Sequence, residues 1–490
     1  MLPRAAIRTR SLNRPRVSAR AGSLAGHTGP TTSGWRARPR SGHCWPQSSP
    51  ERLPSVTISD PGPVIHNNHP DLFEHARLGV RGLTGQTPIM IVPLRADRYT
   101  VMEDFKELAM PENSTDRLVI KNFAQISQAD ITFGDLTVFV GQQASGKSLA
   151  LQLLKLLIDG PEILSVLRDN GNIPARETDL QDLYFGEGMR PWQSRTVCQF
   201  QGKSVPLADF LKGGKAQPAR MFYIPAHRAL LMGDGWPMPF SRLTFETPTV
   251  ARLFSQNLFN LMAAPKAEML FPMERKLKTE IRNVIDAAIF HGSPVLLGKE
   301  KLKKRIELKA GSSRLPFMTW TAGQREFTPL LLGLYHLLTE RRESKIKDID
   351  WVVIEEPEMG LHPQAISAIM LLALDLVGRG YRVVISTHSP LILDVIFAIR
   401  ELADATNADQ LLCKAFAVTP SPQMKKMMRT ILGKNYRTWF FDLNKGKTAV
   451  KDISGLDPFS TDVAEADWGG LTGFSGRFNQ IIGEAAHADS

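Results

Sequence analysis

The chain has 490 residues, of which 43% are apolar and 22% charged, so it can bury a substantial core and is not disordered throughout. Three cysteines that lie far apart in the sequence, Cys44, Cys198 and Cys413, argue against a disulfide framework and a zinc cluster. The apolar runs are much shorter than the roughly 18 residues of a membrane span, which predicts a soluble, cytoplasmic protein without one.

The net charge of +11 belongs mainly to the N-terminus. The first fifty residues contain nine Arg and no Lys, Asp or Glu, and subtracting these nine charges leaves +2 for the rest. Overall charge is therefore no sign of nucleic-acid binding. Residues 1–110 are predicted to be a low-complexity, disordered extension. Its first part is an interaction arm, a transit-like segment or an upstream extension outside the working protein, with Met90 and Met102 as plausible later starts.

Beyond about residue 115, short apolar runs alternate with helical patterns, which predicts an α/β fold with a mainly parallel sheet. The segment 190–317 is less regular and is predicted to be an inserted subdomain, while 401–490 is predicted to be a C-terminal α/β extension. The individual predictions, in chain order, are strands over 117–123 and 136–140, a buried helix over 149–158, a strand over 351–354, a helix over 364–377, a strand over 382–385, and a hairpin over 438–450 that turns at 444–446.

A phosphate-binding pattern follows the second of these strands. The pattern consists of a Gly, any four residues and then Gly-Lys-Ser, and it stands directly between a buried strand and a buried helix. Backbone N–H groups of such a loop wrap an anion, the Lys reaches the β- and γ-phosphates, and the hydroxyl ligates Mg²⁺. This phosphate loop predicts ATP and Mg²⁺ as cofactors, bound by Gly141, Gln142, Gln143, Ala144, Ser145, Gly146, Lys147 and Ser148.

Acidic residues follow the strand over 351–354. Glu355 ends it and is predicted to join Ser148 around the metal, while Glu356 is predicted to be the general base for an attacking water. The alternative, an acidic loop that caps the next helix, stays open above all for Glu358. His388 follows the strand over 382–385, where it can reach the γ-phosphate, so Glu356, His388 and Lys147 are the candidate catalytic residues.

These motifs resemble the P-loop ATPases of the ABC type, and within them the soluble branch with the SMC, RecF and overcoming-lysogenization-defect ATPases and the bacterial AAA-15/AAA-21 proteins. The resemblance covers about 118–393. It rests on the lead-in strand, the phosphate loop, Glu355-Glu-Pro-Glu-Met-Gly-Leu-His-Pro363 and Thr387-His-Ser-Pro390. It implies an ABC-type ATPase head over 115–400, with a mainly parallel sheet, an antiparallel β part and an inserted helical subdomain.

The resemblance also implies a signature segment, and Trp320–Glu326 occupies its place. In the family this segment binds the γ-phosphate held by the other subunit, so Thr321, Gly323 and Gln324 are implied ATP contacts in a homodimer that closes on ATP. The alternative is a helix N-cap at Thr321. Ala144 and Ala322 stand where glycine is usual. Arg228, in a segment similar to one in bacterial members, is a nucleotide or interface contact, or a structural ion pair.

The implied function is ATP hydrolysis that drives a dimerisation switch acting on a protein partner or DNA. An alternative is the ATPase component of a DNA-processing or phage-defence system with a separately encoded effector, and a third is a transporter's nucleotide-binding subunit. For DNA contact, the densest basic cluster of the body is a candidate, with an ordinary solvated face as the alternative. Its members are Lys299, Lys301, Lys303, Lys304, Arg305 and Lys309.

Overall fold

The computed structural model describes residues 116–212, 215, 217–263, 269–300, 303–339 and 344–488. All of them belong to one compact unit. The disordered extension predicted for 1–110 lies outside the described residues, and so does Lys301 of the basic cluster.

The strands of the described chain are β1 (Arg117–Phe123), β2 (Ile126–Thr132), β3 (Leu136–Gly141), β4 (Trp192–Phe200), β5 (Lys203–Ser204), β6 (Met221–Ile224), β7 (Met232–Gly233), β8 (Trp236–Pro237), β9 (Met269–Phe271), β10 (Val295–Glu300), β11 (Lys303–Ala310), β12 (Ser313–Pro316), β13 (Trp351–Glu355), β14 (Arg382–Ser386), β15 (Tyr436–Asn444) and β16 (Lys447–Asp452).

The α-helices of the described chain are α1 (Lys147–Asp169), α2 (Glu177–Phe185), α3 (Ala208–Leu211), α4 (Thr249–Ala263), α5 (Thr279–Ile285), α6 (Ala322–Leu337), α7 (Pro363–Gly378), α8 (Pro390–Glu401), α9 (Ala408–Ala415), α10 (Pro422–Leu432), α11 (Val463–Ala466) and α12 (Gly473–Ala488). The helix that Pro363 introduces is confirmed, since proline has no N–H to lose in a first helical turn. None of the helices that can be described is long and apolar enough to cross a bilayer.

One ten-stranded mixed sheet, in the order β5-β4-β1-β2-β16-β15-β3-β14-β13-β6, organises the unit. Strands β15, β3, β14, β13 and β6 run parallel to one another. Strands β1, β2 and β4 pair antiparallel. This arrangement confirms the predicted α/β fold with a mainly parallel sheet and an antiparallel part.

Helices cover both faces of the parallel part, which explains the uninterrupted apolar runs in β6, β13 and β14. Successive side chains of a strand point to opposite faces. In β13, Trp351 and Val353 join the apolar cluster that contains α1, whereas Val352 and Ile354 join the cluster that contains α6 and α7.

The hairpin of β15 and β16 is confirmed, with Asn444 paired to Lys447 across the turn. Both turn residues have positive φ, 49° at Lys445 and 75° at Gly446, as a tight two-residue hairpin requires. Its position was not predicted. Strand β15 lies beside β3 and β16 beside β2, so the segment beyond residue 400 supplies interior strands of the main sheet.

The less regular segment 190–317 contributes to three sheets, one of which is the two-stranded pair of β7 and β8. Strands β4, β5 and β6 join the main sheet, and β9 to β12 form a separate four-stranded antiparallel sheet. The limits given for an inserted subdomain stay a prediction.

Candidate nucleotide site

The predicted site residues converge because four parallel strands end at one edge of the sheet. The phosphate loop follows β3, His388 follows β14, Glu355 ends β13, and Pro225 follows β6. Backbone hydrogen bonds hold these ends together, from Glu356 N–H to the Ser386 carbonyl (2.9 Å) and from Thr387 N–H to the Phe139 carbonyl (3.0 Å). Ligand sites of parallel α/β sheets lie at such carboxyl ends.

The glycines of the phosphate loop are required by close packing. Gly141 has φ 142°, and a Cβ there would lie 2.6 Å from the carbonyl oxygen of Phe441. Gly146 has φ 96°, and its Cβ would lie 3.0 Å from the Ile126 side chain. Helix α1 then begins at Lys147, which directs its first N–H groups toward the loop.

The two alanines that stand where glycine is usual in the resembling family differ in backbone strain. Ala144 has φ 58°, in the left-handed region that costs an L-residue about 1–2 kcal/mol, whereas Ala322 lies outside that region as the first residue of α6. The Gln125 amide, in the turn between β1 and β2, donates to the Ala144 carbonyl (2.8 Å) and supports the strained loop. The sequence motifs gave no sign of this role of Gln125.

Lys147 is buried in the loop that precedes it. Its Nζ donates to the carbonyls of Gly141 (2.8 Å) and Gln142 (2.9 Å) and lies 3.5 Å from the hydroxyl of buried Ser145. Burial lowers the pKa of Lys147 to about 8, and the nearby carboxylates of Glu356 and Glu358 oppose this shift. Gln142, Gln143 and Ala144 are exposed.

Glu355 is buried, with 4% of its surface exposed. Burial raises its pKa, against the opposing effects of the Ser148 hydroxyl, the Tyr223 hydroxyl and the Ala226 N–H, which donates to Oε2 (3.3 Å). Oε1 has no hydrogen-bond partner among the described residues. An unsatisfied buried carboxylate oxygen beside a hydroxyl suits a hard cation with oxygen ligands, so these two residues fit Mg²⁺.

Glu356 lies beside Lys147 and His388. Its Oε1 is 3.6 Å from Nε2 of His388. The interaction with His388 lowers the pKa of Glu356, and the charges of Lys147 and His227 lower it further. The side chain of Glu356 is partly exposed, and the backbone at this residue has φ 40°. An ionised, partly exposed carboxylate beside the phosphate loop can accept a proton from water.

Glu358 orients the loop after β14. Its Oε1 accepts hydrogen bonds from the Thr387 hydroxyl and the His388 N–H, both at 2.7 Å. It does not cap α7, because the N-cap is His362, whose Nδ1 accepts from Gln364 N–H (3.3 Å). The capping alternative for Glu358 is therefore wrong.

Arg228 is completely buried behind the acidic residues. Its guanidinium donates to the carbonyls of Glu355 (2.8 Å), Pro225 (3.0 Å), Glu356 (3.3 Å) and Glu326 (3.3 Å). It also pairs with the Glu326 carboxylate at 3.9 Å. Arg228 was predicted to be a nucleotide or interface contact or to form a structural ion pair, and the ion pair is the role observed within this chain. Because Glu326 lies in α6, Arg228 connects that helix to the end of β13.

The signature residues form the N-terminus of α6. Thr321 Oγ1 accepts from Gln324 N–H and Gln324 Oε1 accepts from Thr321 N–H, both at 3.3 Å, which is a capping box. A Cβ at Gly323 would lie 2.8 Å from the Gly360 carbonyl oxygen. The N-cap alternative is thus observed. In the part of the chain that can be described, none of Thr321, Gly323 and Gln324 hydrogen-bonds to the phosphate loop.

Three solved structures that resemble the chain are SMC heads. The Smc head bound to the C-winged helix domain of ScpA is 12% identical, with 69% of this chain and 96% of that chain covered and a TM-score of 0.37. The SMC head domain from Thermotoga maritima is also 12% identical, with 69% of this chain and 98% of that chain covered and a TM-score of 0.30. The Smc head domain with an extended coiled coil, bound to the C-terminal domain of ScpA from Pyrococcus furiosus, is 12% identical as well. The comparison covers 69% of this chain and 95% of that chain, with a TM-score of 0.33.

No curated protein matches the sequence. Residues 315–394 match the family AAA_21, described as "AAA domain, putative AbiEii toxin, Type IV TA system". The matched segment contains the signature residues, the acidic end of β13 and His388. The match covers less than a fifth of the chain; together with the phosphate loop between β3 and α1, it makes the chain similar to P-loop ATPases of the AAA-21 type.

Proposed function

We propose that the chain binds and hydrolyses ATP with Mg²⁺, and that the cycle closes and reopens a homodimer that acts on a partner. The observation that carries the proposal is the convergence, at adjacent strand ends, of the phosphate loop, the unsatisfied Oε1 of Glu355 and the pair of Glu356 and His388. A phosphoryl-transfer site needs this set of parts.

The proposed binding roles follow from the groups present. Backbone N–H groups of the phosphate loop cradle the phosphates, and Lys147 exchanges its loop carbonyls for phosphate oxygens. Ser148 and Glu355 hold Mg²⁺, which when bound neutralises charge on the phosphates. Burial disfavours the charged form of the Lys147 ammonium, and contact with the negatively charged phosphate oxygens would stabilise that form.

The proposed hydrolytic role belongs to Glu356, which takes a proton from the attacking water. His388 keeps the carboxylate ionised and reaches the γ-phosphate from the neighbouring strand end. Glu358 positions His388 through its backbone N–H. Proton transfer to a positioned carboxylate contributes about 10²–10⁴-fold to such a rate.

The proposed dimer follows from where the signature residues lie. Thr321 and Ala322 are exposed at the N-terminus of a 16-residue helix, and a helix N-terminus favours an anion. The hydrogen bonds of Thr321 and Gln324 are internal to the helix cap, except that the Gln324 amide donates to the Ile289 carbonyl. The nucleotide that we propose the signature residues meet therefore belongs to a second copy.

Light-scattering mass of the Glu356→Gln variant, with and without ATP and Mg²⁺, tests this proposal. Slowed hydrolysis should trap the closed form, so ATP should double the mass. The control adds Ala322→Arg, which places a bulky side chain at an exposed position and should prevent doubling while nucleotide binding persists. A mass unchanged by ATP despite bound nucleotide would contradict the two-headed mechanism.

A basic cleft favours DNA as the partner, in keeping with a DNA-processing or defence ATPase. This cleft of about 630 Å³ is lined by the hairpin β7–β8, by Arg242 and by β11. Lys303, Lys304 and Arg305 of the predicted basic cluster line it, and Asp234 is the single acidic residue among the described ones that do. The indole of Trp236, partly exposed in the same cleft, offers a stacking surface for a base.

Replacing Lys303 and Lys304 by Ala should weaken binding of a single-stranded oligonucleotide and reduce the slope of log K against log salt by about 1 for each lost phosphate contact. Fluorescence anisotropy across a salt series measures both quantities. Lys445→Ala with Lys447→Ala is the matched control, because it removes the same charge from exposed positions of the β15–β16 hairpin. Equal isotherms for the two double variants would exclude the cleft as the DNA contact.

A further inference from the structure

His227, in the loop after β6, is a second histidine at the edge of the nucleotide site. Strand β13 lies between β14 and β6 in the sheet, and neighbouring strands are about 4.8 Å apart. His388 follows the strand on one side of the acidic end of β13, and His227 follows the strand on the other side. The two loops that carry the histidines therefore flank Glu356.

Hydrogen bonds on both sides of His227 fix its backbone against the acidic residues. The N–H of Ala226 donates to Oε2 of Glu355 (3.3 Å). The guanidinium of Arg228 donates to the carbonyls of Glu355 (2.8 Å) and Glu356 (3.3 Å). Because both neighbours of His227 are bound to the end of β13, the fold sets the position of this residue relative to Glu356.

The backbone of His227 is strained, and its side chain is exposed. Its φ of 50° lies in the left-handed region, which costs an L-residue about 1–2 kcal/mol. The carbonyl accepts from Leu230 N–H (3.1 Å), but the imidazole has no hydrogen-bond partner among the described residues. Glycine adopts this conformation without that cost, so the turn itself does not call for histidine. Strain of this kind clusters at functional sites, where it holds a side chain ready for its ligand.

We propose that His227 donates a hydrogen bond to the γ-phosphate of the nucleotide bound by the same chain, and thereby distinguishes ATP from ADP. This inference rests on the proposed function. The positive charges of His388, Lys147 and His227 all act on Glu356, so all three groups lie within electrostatic range of the proposed base. An imidazole N–H suits a phosphate oxygen, since a hydrogen bond to a charged acceptor is about twice as strong as one to a neutral acceptor.

Calorimetric titrations of the full chain with ATP and with ADP, both with Mg²⁺, test this contact. The parent protein combines Glu356→Gln with Ala322→Arg, so it should bind ATP without turnover and without pairing to a second copy. Adding His227→Gly should lower the affinity for ATP by about tenfold or more, as expected when a hydrogen bond to a charged group is lost. The affinity for ADP, which has no γ-phosphate, should stay unchanged. His227→Gln keeps a side-chain N–H donor and should recover much of the loss.

A second glycine variant separates the lost imidazole from the relaxed backbone. Gln201 is exposed and has φ 53°, like His227. Its N–H donates to the carbonyl of Arg117 at the start of β1, whereas the turn that supports the phosphate loop follows the end of that strand. Gln201→Gly in the same parent should therefore change neither affinity.

Three results would overturn the inference while the proposed function stands. They are an unchanged ratio of ATP to ADP affinity in His227→Gly, an equal loss for both nucleotides, and a loss that appears only when Ala322→Arg is omitted. The second would mean that the loop has a structural role, and the third that His227 meets the nucleotide of a second copy. A parent protein that binds neither nucleotide would instead contradict the proposed function, and with it this inference.

Discussion

Replacement of Arg228 by Met is expected to lower the free energy of unfolding by about 3–5 kcal/mol, as loss of one partner of a buried charged network does. The change leaves the carbonyls of Glu355, Glu356 and Pro225 without their buried donor, and it removes the partner of the Glu326 carboxylate. Urea unfolding followed by circular dichroism measures the difference through the transition midpoint.

Arg220→Met is the matched control for this prediction. Arg220 immediately precedes β6, the strand that comes just before Arg228 in the chain. Its guanidinium is half-exposed and pairs with Asp350 at 2.8 Å. An exposed ion pair contributes about 0–1 kcal/mol, so Arg220→Met should shift the midpoint little. If the two variants lose equal stability, the carbonyl network around Arg228 is not the reason for its burial.

Glu356→Gln is expected to reduce ATP turnover by about 10²–10⁴-fold while ATP affinity changes little. Gln keeps the size of the side chain but cannot take a proton from water. Single-turnover hydrolysis and equilibrium nucleotide binding, measured on the same preparation, separate the two effects.

Glu358→Gln tests the proposed assignment of Glu356, rather than Glu358, as the base. The amide oxygen of Gln can still accept from the Thr387 hydroxyl and the His388 N–H, so we expect less than a tenfold loss of turnover. A severe loss in Glu358→Gln with a mild one in Glu356→Gln would move the base assignment to Glu358.

The parts of the site that the sequence predicts are those whose chemistry is local. A buried strand, a Gly-rich loop and a helix follow one another within residues 136–158, and each acidic or histidine motif directly follows its strand. Because parallel strands end at one edge, adjacency of these motifs follows from the fold class alone. The approach of His388 Nε2 to Glu356 Oε1 is the clearest result of this reasoning.

The parts that the sequence does not predict depend on contacts between distant segments. Residues 444–447 signal a hairpin, but nothing in them indicates that β15 and β16 lie between β3 and β2. The four carbonyls bound by Arg228 carry no residue-type signal, since every residue has a backbone carbonyl. Likewise, the support of Ala144 by Gln125 depends on the turn between β1 and β2.

The position of the β15–β16 hairpin affects how the protein is made. Strand β3 carries the phosphate loop, and its two neighbours in the sheet are β14, which ends at Ser386, and β15, which ends at Asn444. On the ribosome, the loop therefore emerges about 300 residues before the last strand that supports it. Gly141 packs against Phe441, so the loop can reach its final shape only after β15 has been synthesised, and a chain that stops before β15 lacks this support.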